Sequence, residues 1–182
     1  MVEHNILLTD LEATLTVLAT ELGVVLKARG LKLALAESCT GGMAAEAVTR
    51  VAGSSVWFDR GFVTYSNQAK IDMLGVSPET LEKFGAVSEQ TAGEMVLGCL
   101  KTGTLKHSHA NIAGSITGIA GPDGGNAQKP VGTVCFAWTT LNQLANQPTN
   151  TTTQHFAGNR QQIRLQATAF LLQQLIQRLK LT

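Results

Sequence analysis

Charge of either sign is scarce in this chain. Of its 182 residues 15% are charged, and the formal net charge is +1. That balance supplies no general electrostatic drive toward nucleic acid or anionic lipid, so a nucleic-acid partner would require a local basic patch. Long apolar runs are also missing, and none approaches the roughly 20 residues of a membrane helix. The first residues lack a basic segment leading into an apolar run, which argues against secretion and for the cytoplasm. Cysteine is rare: Cys39, Cys99 and Cys135 are odd in number and form no C-x-x-C pair. A disulfide framework and a zinc knuckle are both disfavoured. No G-x-G, G-x4-G-K, H-E-x-x-H, G-x-S-x-G or S-x-x-K occurs, so the dinucleotide, P-loop, zincin and common serine-hydrolase motifs are absent. His4, His107, His109 and His155 make no metal-ligand spacing with the acids, and His107 and His109 read as solvated loop residues. Neither a metal nor a cofactor is expected.

What is present is apolar: 44% of residues are hydrophobic, enough for a substantial core in one domain spanning residues 1–182. Leu11, Leu15, Leu18, Leu22 and Leu26 recur at helical steps and predict a helix from about Asp10 to Arg29, stopped by Gly30. A short strand follows at 33–36, and a second helix after Gly41-Gly42 runs to about Ala52. Trp57 to Tyr65 reads as a strand. Asn67 can cap a helix through Leu74, and Pro78 opens another. Ser88 precedes a helix through Cys99. Strands are expected at Ile112–Ile119, Val131–Thr139 and Thr151–Phe156, with a polar loop over Asn142–Thr153. Ile163 to Leu175 marks a closing helix. Early alternation and late consecutive strands argue for an α/β domain, a mixed sheet with helices on its faces.

Four segments carry chemistry. In Ala36-Glu-Ser-Cys-Thr-Gly-Gly42 a strand gives way to small polar residues and two glycines before a helix. That exposes the Ser38 hydroxyl at a sheet's carboxyl edge, where open α/β folds bind ligands. N–H groups of Thr40, Gly41 and Gly42 at the helix start are candidates for an oxyanion or anion; the plainer reading is a Ser/Thr cap. Cys39 is a rival nucleophile, ranked second because adjacent residues point elsewhere. Gly61 to Lys70 holds the only tyrosine, Tyr65, and places Lys70 in a first helical turn. The helix dipole and partial burial there both favour the neutral amine, which can act as a base; an exposed lysine is the alternative. Thr117 to Gly125 and Lys129 to Gly132 form a glycine-rich loop suited to close backbone approach, or simply to a wide hairpin. Arg160 and Arg164 stand one turn apart at a helix start, an awkward placement without an anion between them, though solvated arginines would look the same.

Taken together, these segments resemble the CinA C-terminal domain family, whose stand-alone members are nicotinamide-nucleotide amidases of the PncC type. The matching blocks are A-E-S-C-T-G-G (36–42), G-S-S-x-x-F (53–58), G-F-V-T-Y-S-N-x-x-K (61–70), L-G-V (74–76), G-A-V-S (85–88), T-G-I-A-G-P-D-G-G (117–125), K-P-V-G-T-V (129–134) and F-x-G-x-R-x-x-x-R (156–164). Ala52, Asn111 and Asn159 depart from the residues usual there. The resemblance implies a three-layer αβα sandwich with a mixed, mostly parallel sheet. It implies hydrolysis of the carboxamide of nicotinamide mononucleotide to nicotinic acid mononucleotide and ammonia, without a metal. By matched position Ser38 is the nucleophile and Lys70 its base, with Tyr65 and Thr117 beside them. Candidate substrate-binding residues are Thr40, Gly41, Gly42, Arg60, Asn67, Gly118, Gly121, Gly124, Gly125, Lys129, Arg160 and Arg164. The expected partner is a small pyridine nucleotide, with no nucleic acid and no membrane, in a homo-oligomer for which a dimer is favoured. The competing reading is a nucleotide-binding sensor without turnover, which ammonia release would distinguish.

Overall fold

The computed structural model describes residues 2–101, 110–141 and 149–181. The elements run α1 (Val2–Ala28), β1 (Leu33–Glu37), α2 (Met43–Thr49), β2 (Phe58–Val63), α3 (Asn67–Leu74), α4 (Pro78–Phe84), α5 (Glu89–Lys101), β3 (Ile112–Gly118), β4 (Thr133–Thr140), β5 (Asn150–His155) and α6 (Arg160–Leu181). A short 3-10 turn, Ser54–Val56, precedes β2. The sequence therefore predicts the order and type of these elements, with shifted ends. α1 begins earlier than Asp10, α2 stops at Thr49, and Ser66 rather than Asn67 caps α3, its hydroxyl accepting from Ala69 N–H at 3.0 Å. His107, His109 and most of the expected polar loop lie outside the described residues.

The strands form one sheet in the order β2-β1-β3-β4-β5. β1 pairs parallel with β2 and β3, while β3–β4 and β4–β5 are antiparallel. Four of the five strands thus point one way, and β4 alone runs against them.

Alternation along the strands sorts the two faces by size. Leu33, Leu35, Ile112, Ile116, Val134, Phe136 and Trp138 point to one side, where they pack with α1, α2 and α6. Ala34, Ala36, Ala113, Cys135 and Ala137 point to the other, under α3, α4 and α5. Small side chains on that face let α5 come close, and Ser115 Oγ donates to Ala92 O of α5 at 2.7 Å. The result is three layers, helix–sheet–helix. Asn111 ties the start of β3 to the chain before β1, its side-chain oxygen accepting from Lys32 N–H at 2.7 Å.

β1 lies between the strand that follows it and the strand that comes third. The chain leaves β1 toward one side through α2 and β2, then returns to the other side through α3–α5 and β3. That reversal opens a crevice at the carboxyl ends of β1, β2 and β3, the usual ligand position in such sheets.

Candidate active site

Ser38 follows the last residue of β1, and its N–H still donates to Ile116 O at 2.9 Å. The chain then reverses, Gly41 N–H donating to Ser38 O at 3.1 Å to close a four-residue turn. Gly41 and Gly42 have φ of 58° and 95°, a region that glycine adopts without a Cβ clash. On the neighbouring strand Thr64 N–H donates to Glu37 O at 2.8 Å, which draws the β2–α3 connection alongside the Ser38 turn.

Lys70 sits in the first turn of α3 and points inward, 1% exposed. Its Nζ donates to Ser38 Oγ at 3.0 Å and to Thr64 O at 2.8 Å, with Tyr65 O at 3.5 Å. Burial pushes the Lys70 pKa below the usual lysine range, because the charged ammonium loses its hydration. A thiolate at Cys39 would oppose this shift. Burial, helped by the Glu37 charge, instead pushes the Cys39 thiol up to about 12, so the sulfur is protonated and uncharged near neutrality. Cys39 also packs into the α1/α2/α6 core. With the amine neutral, the 3.0 Å contact reverses and the Ser38 hydroxyl donates to Nζ.

Glu37 is the residue whose role the sequence left unread. Only 1% exposed, its carboxylate accepts from the N–H groups of Gly42 (3.0 Å), Ala44 (3.1 Å) and Ala45 (2.8 Å). It caps α2 from five residues upstream of Gly42. Met43 N–H is also engaged, with Thr40 O at 3.2 Å. Of the Thr40, Gly41 and Gly42 N–H groups considered for an oxyanion, that of Gly41 is held by Ser38 O and that of Gly42 by Glu37. A carboxylate placed just before a glycine-initiated helix was the available signal.

Thr117, at the end of β3, stands one step beyond the Glu37–Ile116 register pair, and its Oγ1 donates to Ala86 O at 2.7 Å. Tyr65 is 61% exposed, yet its hydroxyl accepts from Arg160 Nη2 at 2.9 Å. The other Arg160 nitrogen donates to Gly121 O at 2.7 Å, and Arg164 Nη2 donates to Thr40 O at 2.6 Å. The arginine pair thus reaches the Ser38 turn from α6, which Asn159 caps by accepting from Gln162 N–H at 3.0 Å.

Other candidates are placed elsewhere. Arg60 lies low on β2, level with Ala34, and pairs with Asp59 at 2.6 Å. Asn67 is exposed on the first turn of α3. Lys129 Nζ donates to Phe84 O at 2.9 Å and Val87 O at 2.6 Å, so it ties the α4–α5 corner to the glycine loop. The loop's glycines answer to packing. A Cβ on Gly118 would lie 2.8 Å from Thr133 O, one on Gly121 2.5 Å from Val131 Cγ1, and one on Gly125 2.7 Å from Val131 N. Gly124, with φ of 92°, turns the loop in the open. A 350 Å³ cavity lies on the α5 side of β4 and β5, bordered by Glu89, Lys129, Cys135 and His155 but by neither Ser38 nor Lys70. Among the described residues, no three His, Cys, Asp or Glu side chains converge as metal ligands, and no helix is long and apolar enough to cross a membrane.

Comparison with known proteins is consistent along nearly the full chain. Over 162 residues it is 52% identical to the nicotinamide-nucleotide amidohydrolase PncC of Enterobacter agglomerans, covering 89% of this chain and 93% of that one. It is 51% identical over 170 residues to the protein of that name from Escherichia coli K12, covering 93% and 96%. The crystal structure of the competence/damage inducible protein CihA from Agrobacterium tumefaciens superposes with a TM-score of 0.84 at 45% identity, covering 92% and 96%. The family model described as the CinA C-terminal domain matches residues 15–179. With fold, sequence and structural neighbours in agreement, the chain belongs to the CinA C-terminal domain family.

Proposed function

We propose that this protein hydrolyses the carboxamide of nicotinamide mononucleotide, giving nicotinic acid mononucleotide and ammonia, with Ser38 as nucleophile and Lys70 as its base. The observation that carries the reading is the buried 3.0 Å contact between Lys70 Nζ and Ser38 Oγ, in a chain half identical to amidohydrolases of that substrate.

An amide is a poor electrophile, so the attacking hydroxyl must lose its proton as the bond forms. Neutral Lys70 takes that proton while Ser38 Oγ bonds to the carboxamide carbon and the carbonyl electron pair moves onto oxygen. Collapse of the tetrahedral species breaks the C–N bond, and Lys70 returns the proton to the departing nitrogen, which leaves as ammonia. Water then attacks the acyl ester, giving one proton to Lys70, which passes it to Ser38 Oγ as the ester C–O bond breaks; the acid formed loses its remaining proton to solvent as the carboxylate. Thr64 O orients the amine throughout.

Ammonia release from nicotinamide mononucleotide tests this reading. Ser38→Ala should lower kcat by roughly 10³-fold or more while the protein stays folded. Lys70→Arg keeps the charge but cannot become a neutral base, so it should be nearly as damaging as Lys70→Ala. Cys39→Ala should retain turnover. Near-normal activity in Ser38→Ala together with loss in Cys39→Ala would reverse the assignment.

A further inference from the structure

Five buried polar side-chain atoms lack a hydrogen-bond partner among the described residues: Thr40 Oγ1, Trp57 Nε1, Trp138 Nε1, Arg164 Nε and Thr168 Oγ1. Two of them belong to residues that are in contact. Thr40 and Arg164 touch directly, Arg164 Nη2 donating to Thr40 O at 2.6 Å, and Thr40 lies inside the turn closed by Ser38 and Gly41. Thr40 is wholly buried, so water does not freely satisfy its hydroxyl. Arg164 makes no ion pair with an acid among the described residues, although its Nε is buried. A buried hydroxyl and a buried guanidinium nitrogen, both with donors to spare, form a site made for negative charge.

The surrounding backbone sharpens the assignment. The N–H groups of residues 41–45 are already bonded, that of Gly41 to Ser38 O, that of Met43 to Thr40 O, and those of Gly42, Ala44 and Ala45 to the Glu37 carboxylate. From Gly41 onward the N–H groups at the helix start, a common source of oxyanion donors, are thus engaged, which leaves the Ser38–Gly41 turn itself to supply the donor. A substrate phosphate sits at the far end of the ribose from the carboxamide, whereas Thr40 is two residues from Ser38 in the same tight turn. The anion nearest Thr40 is the one that forms on the carbonyl oxygen.

We infer that the Thr40 hydroxyl, backed by Arg164, donates to the oxyanion of the tetrahedral species. This rests on the amidase reading above and adds the group that stabilises its transition state. Arg164 fixes Thr40 through the carbonyl and supplies positive charge; the hydroxyl makes the contact.

Thr40→Val is the test, because valine keeps the shape and removes the hydroxyl. Removing one oxyanion donor lowers kcat by about 10²–10³-fold. The expected result is that loss for nicotinamide mononucleotide, with the dissociation constant of nicotinic acid mononucleotide within about threefold of wild type. Tm should hold or rise, since an unpartnered buried hydroxyl is removed. Thr40→Ser should recover most of the rate. Hydrolysis of p-nitrophenyl acetate passes through a similar oxyanion without nucleotide recognition, and should fall in parallel. A wild type that hydrolyses this ester but releases no ammonia from the mononucleotide would overturn the substrate reading, while the ester rates of wild type and Thr40→Val still decide the hydroxyl's role. A Thr40→Val rate within threefold of wild type overturns the inference. So does a joint loss of turnover and product affinity, which would mean that Thr40 shapes the ground-state pocket.

Discussion

A lysine with 1% of its surface exposed and no acid among its hydrogen-bond partners is an expensive residue to keep. Its hydrogen bonds go to a hydroxyl and two carbonyls, none of which compensates a full charge. The folded protein therefore binds the Lys70 proton less tightly than the unfolded chain does, where a lysine titrates near about 10.4. Between the lowered folded value and the unfolded one, the unfolded state holds more protons, so stability rises with pH across that window. Below the window the destabilisation is at its full value. Lys70→Met keeps the apolar stem and removes the charge. It should raise Tm near neutral pH by roughly 2 °C or more, about 1 kcal/mol for a chain of this size, while abolishing turnover. It should also flatten the rise in stability on the alkaline side. Thermal scans of both proteins from neutral to alkaline pH check this, and a lower Tm in Lys70→Met would show that the amine's hydrogen bonds outweigh its burial. The wild-type rate should fall on acidification as the same amine takes up its proton.

The element that delivers Lys70 is held from behind. α3 crosses α5 at Gly98, where a Cβ would lie 2.2 Å from Leu74 O, a backbone atom that cannot turn aside. Leu74 ends the helix in which Lys70 begins, so displacing one end moves the other. Gly98→Ala should cost about 1–3 kcal/mol of stability through overpacking. It should also lower kcat at least tenfold, because a shift near 1 Å breaks the 3.0 Å contact with Ser38. Circular-dichroism melting and ammonia release measure both, and a destabilised variant with full kcat would show that α3 moves as a unit without disturbing the dyad. Much at this scale was legible in the sequence. Leucine spacing marked α1, Ser88 marked the start of α5, Ser38 stood at the end of a readable strand and Lys70 in the first turn of a readable helix. Direction of pointing was not legible. Lys70 turns inward because Ala34, Ala36 and Ala113 leave a shallow sheet face for α3 and α5, a property of three strands together. Lys129 looked like a phosphate donor because glycines surround it, yet Phe84 O and Val87 O, more than 40 residues earlier, hold its ammonium. Contacts this distant leave no local pattern.

Seen across the whole molecule, α6 links the sealed core to the open crevice. Its buried face packs on the large-residue side of the sheet, and its first two turns extend Arg160 and Arg164 across the carboxyl edge. With Lys129 and Arg60 committed elsewhere, Arg160 is the cation best placed at the crevice mouth. Its partners, Gly121 O and Tyr65 OH, are neutral acceptors, so its positive charge remains available to an anion. The 5′-phosphate of the proposed substrate supplies one. A charge-assisted contact to phosphate contributes about 1.5–3 kcal/mol, or roughly 10–150-fold in affinity. Arg160→Ala should therefore raise KM for nicotinamide mononucleotide within that range and change kcat little. Nicotinamide riboside carries the same carboxamide and ribose without the phosphate. It should be a poor substrate of the wild type, and Arg160→Ala should lower its kcat/KM by less than about threefold. Steady-state kinetics for both substrates on both proteins form a cycle in which the phosphate contact is the coupling energy. Equal losses on the two substrates would assign Arg160 to holding Tyr65 and the Gly121 loop in place. Equal wild-type rates on riboside and mononucleotide would remove the phosphate from recognition altogether.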